Sequence, residues 1–252
     1  MDIEDYDPIS TLKVDENIIT KSKYPFIDVH NHQFDMPLKD LTQLVQEMDS
    51  LNMAFMVNLS GFRGIYFDKS IQNINDNYPN RFGLFINIDF EKIDDKDFGN
   101  NNTELIRNAV RDGAMGLKIY KSLGLDDKDK YGNRIKINDP RLKPIWEICG
   151  ELNIPVLIHS GEPESFWKPK DKLNERWLEL KQKPGRYRDP NKNPSFEEVL
   201  SEQHDMFEKN QNTTFINAHL GWMGNDLDRL SEHLDNNENV ITEIGAVLAE
   251  LG

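Results

Sequence analysis

Seven short apolar runs rich in β-branched residues recur along the chain, and stretches with helical periodicity separate them. Each run is continuously apolar, which is typical of parallel strands that are covered on both faces. A repeated order of strand and helix predicts parallel βαβ units and an α/β fold. The predicted strands span 26–30, 53–59, 82–88, 114–120, 154–160, 213–219 and 239–245.

Such units build either an open doubly wound sheet or a (β/α)8 barrel of the TIM type. No G-x-G-x-x-G sequence follows the first strand, which argues against a dinucleotide-binding sheet. His30, His159 and His219 each end a predicted strand, and in a parallel barrel all such ends open onto one face. We therefore predict a TIM-type barrel domain over 24–252, preceded by an N-terminal extension over 1–23, with the eighth strand missing.

The segment YPFIDVHNHQF places His30 and His32 two residues apart where the first strand stops. Residues two apart in a strand point to the same side, so both imidazoles can reach one ion. With His159 they form a candidate ligand set for a divalent metal, and neutral imidazole suits zinc. His219 is predicted to be a catalytic residue beside that ion. The alternative is that all four are structural histidines at strand ends.

Composition narrows the class of protein further. A net charge of −14 argues against a nucleic-acid binder. The N-terminus shows no signal peptide and no apolar run is long enough to span a membrane, so a cytoplasmic protein without a membrane partner is expected.

The single cysteine, Cys149, shares an apolar helical face and is predicted to be a core residue. His204 and His233 lie in polar helical stretches and are predicted to be surface residues.

Charged residues near the same strand ends are candidate substrate contacts. Lys118 lies within the otherwise apolar fourth strand, where a lysine is rarely buried without a partner. It is predicted to contact a substrate carboxylate or a rim carboxylate such as Glu243, and a structural pairing inside the barrel is the alternative. Glu162 and Glu243 are predicted to contact substrate or to orient a ligand histidine. A plain loop carboxylate is the alternative for Glu162.

The longest connection, residues 161–194, mixes aromatic and basic side chains. Since it follows the fifth strand, it is predicted to overhang the strand ends as a lid and specificity loop. Within it, KDKLNERWLELKQ predicts one helix with Leu173, Trp177 and Leu180 on its packing face. Arg176 in this helix is a candidate substrate-binding residue. The basic residues favour an anionic small-molecule substrate, although solvated charge explains each of them singly.

Several segments together resemble the amidohydrolase superfamily: FIDVHNHQF, GLKIYKSLGL, HSGEPESFWKPKDKLNERW, FINAHLGW and VITEIGAVLAELG. The branch that the chain is most similar to is amidohydrolase family 2, the metal-dependent TIM-barrel hydrolases related to aminocarboxymuconate-semialdehyde decarboxylase. The resemblance implies that His30, His32 and His159 match metal-ligand positions. It implies that His219 matches a histidine that binds metal or contacts the activated water and substrate. In some branches a lysine at the position of Lys118 is carboxylated and bridges two metals.

The resemblance also implies an aspartate at the end of strand eight, which binds metal and takes a proton from the attacking water. The sequence stops after the seventh predicted strand, at AVLAELG. We therefore expect the natural protein to continue past Gly252 to a strand that ends in aspartate. The 252-residue form is expected to be poorly active and to associate through its open edges, as homo-oligomers or aggregates.

Three functions remain open at this level. The preferred one is a metal-dependent hydrolase that uses a metal-bound water on an amide, ester or lactone bond. The second is a metal-dependent decarboxylase that acts on a small carboxylated substrate. The third is a non-catalytic barrel that binds a partner, and the missing strand favours it.

Overall fold

The computed structural model describes residues 5–9, 11–14 and 17–247. In this part of the chain, seven parallel strands form one sheet in sequence order, curled with its helices into a TIM-barrel-like α/β fold. The strands are β1 (Phe26–Asn31), β2 (Met53–Asn58), β3 (Phe82–Asn87), β4 (Ala114–Ile119), β5 (Val156–Ile158), β6 (Phe215–Asn217) and β7 (Val240–Thr242). The predicted fold class and all seven strands are confirmed. The predicted N-terminal extension falls partly, and the ending LAELG wholly, outside the described residues.

Helices follow most of the strands and cover the outer face of the sheet. They are α1 (Thr42–Leu51), α2 (Ile65–Asn77), α3 (Phe98–Arg111), α4 (Lys143–Glu151), α5 (Trp177–Gln182), α6 (Phe196–Lys209) and α7 (Leu227–Asn236). Cys149 of α4 is fully buried in the main core, as predicted, and burial raises the pKa of its thiol to about 12. Among the helices in the described ranges, none has the length and apolar character to cross a bilayer.

The last three strands are shorter than predicted, with three residues each. The chain leaves the ladder early because it turns sharply just beyond β5 and β6. Gly161 has φ +78°, and a left-handed run begins at His219. His159 and His219 therefore lie just past their strands, in the connections that form the rim.

The lid differs from the prediction of one long helix. Its helix α5 begins only at Trp177, because Asn174 binds the preceding turn instead of continuing a helix. The Asn174 amide donates to the carbonyl oxygen of Ser165 at 2.9 Å, and its Oδ1 accepts from the Arg176 N–H at 2.9 Å. Asparagine commonly competes with helix in this way. Leu173 is 85% exposed, so its predicted place on the packing face is wrong, whereas Leu180 is buried.

His233 is buried and His204 is only partly exposed, so the prediction that both are surface residues is wrong. Their rings stack at 3.9 Å between centroids where α6 meets α7, and His233 is only 7% exposed. The Phe207 ring lies 5.8 Å from His233 on the same side. A neutral imidazole is a flat ring that can stack on another. The two histidines therefore fill the contact between α6 and α7, although the sequences of both helices are polar.

This pair predicts a loss of stability in acid. Burial, followed by the charge of His233, lowers the pKa of His204 from 6.5 to about 4, and burial lowers the pKa of His233. As pH falls below about 6.5 the unfolded chain binds protons before the folded one, so the free energy of unfolding decreases. The variant His204→Phe keeps the ring stacking but cannot bind a proton. We expect the acid-induced decrease in its free energy of unfolding to be smaller than in the wild type by on the order of 1 kcal/mol, a value reduced for the partial exposure of His204. Urea midpoints measured between about pH 7.5 and about pH 4.5 test this, and the same pH dependence in both proteins would contradict it.

Candidate functional site

Four histidines gather where β1, β5 and β6 end. The ring centroids of His30 and His219 are 4.8 Å apart, those of His159 and His219 are 4.4 Å apart, and those of His30 and His32 are 5.5 Å apart. Ligand nitrogens of His30, His159 and His219 all lie within 4.8 Å of one another, close enough to share one ion. The structure thus brings the four predicted residues together, with His32 beside the closest group of three.

Glu243, just past β7, sets the tautomer of His30. Its Oε1 lies 2.8 Å from His30 Nδ1, so this nitrogen carries the proton and Nε2 keeps its lone pair. The same carboxylate accepts the His219 N–H at 2.8 Å and the Gly245 N–H. Burial raises the pKa of Glu243, but the hydrogen bond from His30 and those from the two backbone N–H groups outweigh it and leave the pKa below its usual value. A carboxylate behind a ligand histidine is the usual arrangement in metal sites.

His32 is fixed by a hydrogen-bonded chain across the next strands. Its Nδ1 lies 2.8 Å from Ser60 Oγ, which lies 3.1 Å from Tyr120 Oη, and Tyr120 donates to the Leu59 carbonyl oxygen at 3.2 Å. Since the chain ends on a carbonyl acceptor, His32 Nδ1 is the donor and Nε2 keeps its lone pair. Burial, with the charge of Lys118 adding to it, lowers the pKa of His32 to about 4.

His159 and His219 form the third part of the centre. The Gly245 carbonyl oxygen lies 2.6 Å from His219 Nδ1, so that nitrogen carries the proton and Nε2 is an acceptor facing His159 Nδ1 at 3.4 Å. His159 Nε2 is then unprotonated, and it is buried with no hydrogen-bond partner among the described residues. Burial lowers the pKa of both imidazoles, so both are neutral. A metal ion would satisfy this orphaned imidazole nitrogen.

An unusual backbone delivers His219. Four consecutive residues, His219, Leu220, Gly221 and Trp222, have φ between 55° and 60°. Only glycine adopts this conformation without strain, and each other residue costs about 1–2 kcal/mol. A side chain at Gly221 would collide with the Asn217 amide, so glycine is required there for space as well. This left-handed turn places the centroid of the Trp222 ring 4.8 Å from that of His219 and 5.7 Å from that of His159.

Lys118 on β4 is fully buried beside the histidines. Its Nζ has no hydrogen-bond partner among the described residues and lies 5.6 Å from the centroid of the Tyr120 ring. Burial lowers the pKa of Lys118 to about 7, and the charge of Glu243 acts in the opposite direction. The Glu243 carboxylate is thus felt through space and forms no hydrogen bond with Lys118. A buried ammonium without a partner is costly, and an anionic ligand would satisfy it.

The remaining predicted residues lie at the rim and in the lid. Glu162 is buried, and its Oε1 accepts a hydrogen bond from Lys121 Nζ at 2.6 Å. Nη2 of the lid residue Arg188 lies 3.5 Å from the same oxygen. Arg176 contacts Glu179 at 3.2 Å within the lid. These contacts are local ion pairs, so the substrate-binding roles of Glu162 and Arg176 stay predictions.

The sequence analysis did not single out four residues that contact the centre or the residues at its rim: Ser60, Tyr120, Arg188 and Trp222. The first two could have been found, because Ser60 directly follows the second predicted strand and Tyr120 is the last residue of the fourth, on the same rim. No sequence signal marks the buried Arg188 among the many basic residues of the lid.

Comparisons with known proteins agree with this architecture. A family model described as Amidohydrolase matches residues 27–250. The crystal structure of 2,6-dihydroxybenzoate decarboxylase complexed with 2,6-dihydroxybenzoate has a TM-score of 0.59 and 12% identity, covering 90% of this chain and 83% of that chain. The structure of the same enzyme from Rhizobium has a TM-score of 0.56 and 13% identity, covering 90% of this chain and 82% of that chain. The structure of 4-oxalomesaconate hydratase from Rhodopseudomonas palustris has a TM-score of 0.52 and 13% identity, covering 85% of this chain and 62% of that chain. At these identities the likeness concerns the fold, and a search of curated protein sequences gave no match.

Proposed function

The chain belongs to the amidohydrolase family, and from this premise we propose that it is a metal-dependent hydrolase that cleaves an amide, ester or lactone bond of an anionic small molecule. The observation that carries the proposal is His159 Nε2, a buried and unpartnered nitrogen of an imidazole that lies among three further histidines. The donor set, which is all imidazole nitrogen, suits zinc among the common divalent ions.

His30, His32 and His159 would hold the ion. In each of them Nδ1 already faces a partner, and Nε2 carries the lone pair that a metal ligand needs. His219 has partners at both ring nitrogens, so it would stand against the ion instead of being a primary ligand. When bound, the ion would polarise a carbonyl oxygen and make water a better nucleophile at neutral pH.

His219 is suited to move a proton at Nε2. Burial lowers its pKa, so this nitrogen is unprotonated at neutral pH, and its 3.4 Å contact with His159 is long enough to be exchanged for a water molecule. The Gly245 carbonyl oxygen holds the ring in place at Nδ1, and Glu243 Oε1 lies 3.5 Å from the same nitrogen. A carboxylate in this position stabilises the imidazolium that forms when His219 accepts a proton from the attacking water.

Lys118 would bind the anionic part of the substrate, since its ammonium group is buried next to the histidines without a hydrogen-bond partner. The lid would close over the same space. It is anchored by Arg188, which pairs with Asp126 outside the lid at 3.0 Å and lies 3.5 Å from Glu162 at the start of the lid. Exclusion of water strengthens each of these electrostatic contacts.

A second candidate is a metal-dependent decarboxylase. It is favoured by one observation, that the buried Lys118 Nζ has no hydrogen-bond partner among the described residues and could receive a substrate carboxylate beside the histidines. Loss of carbon dioxide needs no attacking water, and Lys118 would then bind the carboxylate of the substrate.

Metal removal tests the proposal. Zinc-loaded protein is assayed on lactones, amides and esters, and for carbon dioxide release from carboxylated aromatic acids. We expect turnover of one hydrolysable class, a fall of more than about 100-fold after chelation, and recovery on adding zinc, because the ion supplies the polarising charge. Chelator given together with excess zinc is the control. Turnover that survives chelation would contradict metal dependence, and carbon dioxide release alone would favour the decarboxylase.

A further inference from the structure

A row of aromatic rings leads outward from the histidine cluster. The Phe34 ring lies parallel to the His32 imidazole, with 5.6 Å between centroids and 8° between planes. Phe62 lies 6.3 Å from Phe34, and Tyr66 meets Phe62 edge-on at 4.7 Å. We call Phe34, Phe62 and Tyr66 the aromatic shelf. Phe34 is 56% exposed and Phe62 is 36% exposed, so ring surface is open to solvent beside the site.

The backbone of Phe62 is strained and firmly held. Its φ is 53°, a conformation that a bulky residue rarely adopts and that recurs at ligand-binding positions. The buried Asn87, at the end of β3, holds it on both sides. Asn87 Oδ1 accepts the Phe62 N–H at 2.8 Å, and the Asn87 N–H donates to the Phe62 carbonyl oxygen at 3.0 Å. These two hydrogen bonds fix the backbone position from which an exposed aromatic ring projects.

The residue before it adds a second constraint. Gly61 lies against β3 so closely that a side chain there would collide with the Phe85 carbonyl oxygen. The loop after β2 is therefore pinned at Gly61 and held at Phe62. Packing of the ring alone does not require this arrangement, because more than a third of the Phe62 surface remains exposed.

We propose that the aromatic shelf is a specificity subsite that binds an aromatic ring of the substrate whose anionic group is held at Lys118. This inference rests on the proposed function, since it concerns the substrate of the same site. The shelf is continuous with the centre through the stacked pair His32 and Phe34. Within the shelf, Phe34 and Phe62 are tilted by 50° and Phe62 meets Tyr66 edge-on, and Phe34 stacks on His32. Stacked and edge-on aromatic pairs gain free energy beyond the burial of area. Two exposed rings are too small a surface for a stable protein partner, which needs about 800 Å² on each side.

A matched pair of ligands tests the subsite. We would titrate 3-phenylpropanoate and 3-cyclohexylpropanoate into the protein and measure affinity by calorimetry, in the zinc-loaded and in the chelated form. Both acids carry the same carboxylate and chain, so only the aromatic character of the ring differs. In the wild type we expect the phenyl acid to bind about 3- to 10-fold more tightly, which is the range of measured aromatic pair gains.

Two variants remove the shelf without disturbing its support. Phe62→Asn keeps a residue that tolerates positive φ, and Phe34→Leu keeps an apolar contact. Each is expected to reduce the preference for the phenyl acid to less than about 2-fold, with zinc content unchanged. Tyr24→Ala removes another exposed ring, 69% exposed ahead of β1 at the opposite end of the sheet, and should leave the preference intact.

Equal affinities in the wild type, a preference that survives in both variants, or no binding of either acid would each overturn the subsite. Zinc content is measured on the same samples and reports on the proposed metal centre separately. Since the titrations are also done on chelated protein, failure of the metal centre leaves the test of the shelf unchanged.

Discussion

The double change His30→Ala with His32→Ala is expected to reduce bound zinc from about one equivalent per chain to less than about a tenth, and to abolish turnover. It removes two of the three imidazoles whose Nε2 atoms are assigned to the ion. His159 then remains as the single assigned ligand, which is too few to retain zinc through purification. Elemental analysis of protein purified without chelator measures the outcome. The variant His204→Phe, which removes a histidine outside the centre, is the matched control and should keep its zinc. Equal zinc in the wild type and the double variant would rule out the site.

Single variants decide between the two ligand sets that the geometry allows. The assignment of His32 as a ligand predicts that His32→Ala weakens zinc binding more than His219→Ala does. A larger loss in His219→Ala would make His30, His159 and His219, the closest group of nitrogens, the ligand set. His219 would then lose its role as the proton acceptor.

Replacement of Lys118 by methionine is expected to raise KM for acidic substrates by about 10- to 100-fold, since a hydrogen bond to a charged group contributes about 1.5–3 kcal/mol. Zinc content should not change. Methionine keeps the length and apolar packing of the buried side chain, so the fold should survive. Lys121→Met is the matched control, because Lys121 lies at the rim and is already paired with Glu162 at 2.6 Å.

The contrary outcomes for Lys118 are also specific. An unchanged KM would show that the buried ammonium does not contact substrate. Loss of zinc in Lys118→Met would indicate that the lysine takes part in the metal site itself, as a carboxylated lysine does in some branches of the superfamily. A neutral substrate analogue should be bound equally by the wild type and the variant.

The sheet was predictable because each strand is a continuous apolar run and the rule for parallel barrels places all the strand ends on one face. That rule was enough to bring His30, His159 and His219 together. It was not enough to predict where β6 ends. The left-handed backbone segment that starts at His219 depends on contacts with Asn217 and with the chain around Glu243. Such contacts join distant segments and leave no periodic signal.

Polar side chains that become buried were the main source of error. His204 and His233 read as solvent-facing because their helices are polar, yet they close the contact between α6 and α7 as a stacked pair. In the lid, Asn174 ends the predicted helix by binding backbone carbonyl groups. The chain from His32 through Ser60 to Tyr120 was missed for a related reason, because hydrogen bonds between neighbouring strands cannot be read from spacing alone.

X-ray absorption at the zinc edge on the loaded protein tests the central claim most directly, since it reports the ligands of the ion without any assumption about substrate. We predict a first shell with about three imidazole nitrogens at about 2.0–2.1 Å, which is the usual zinc–histidine distance. In the His30→Ala, His32→Ala double variant this imidazole signal should disappear together with the bound zinc. A shell made only of oxygen atoms in the wild type, or an imidazole shell that persists in the double variant, would contradict the account.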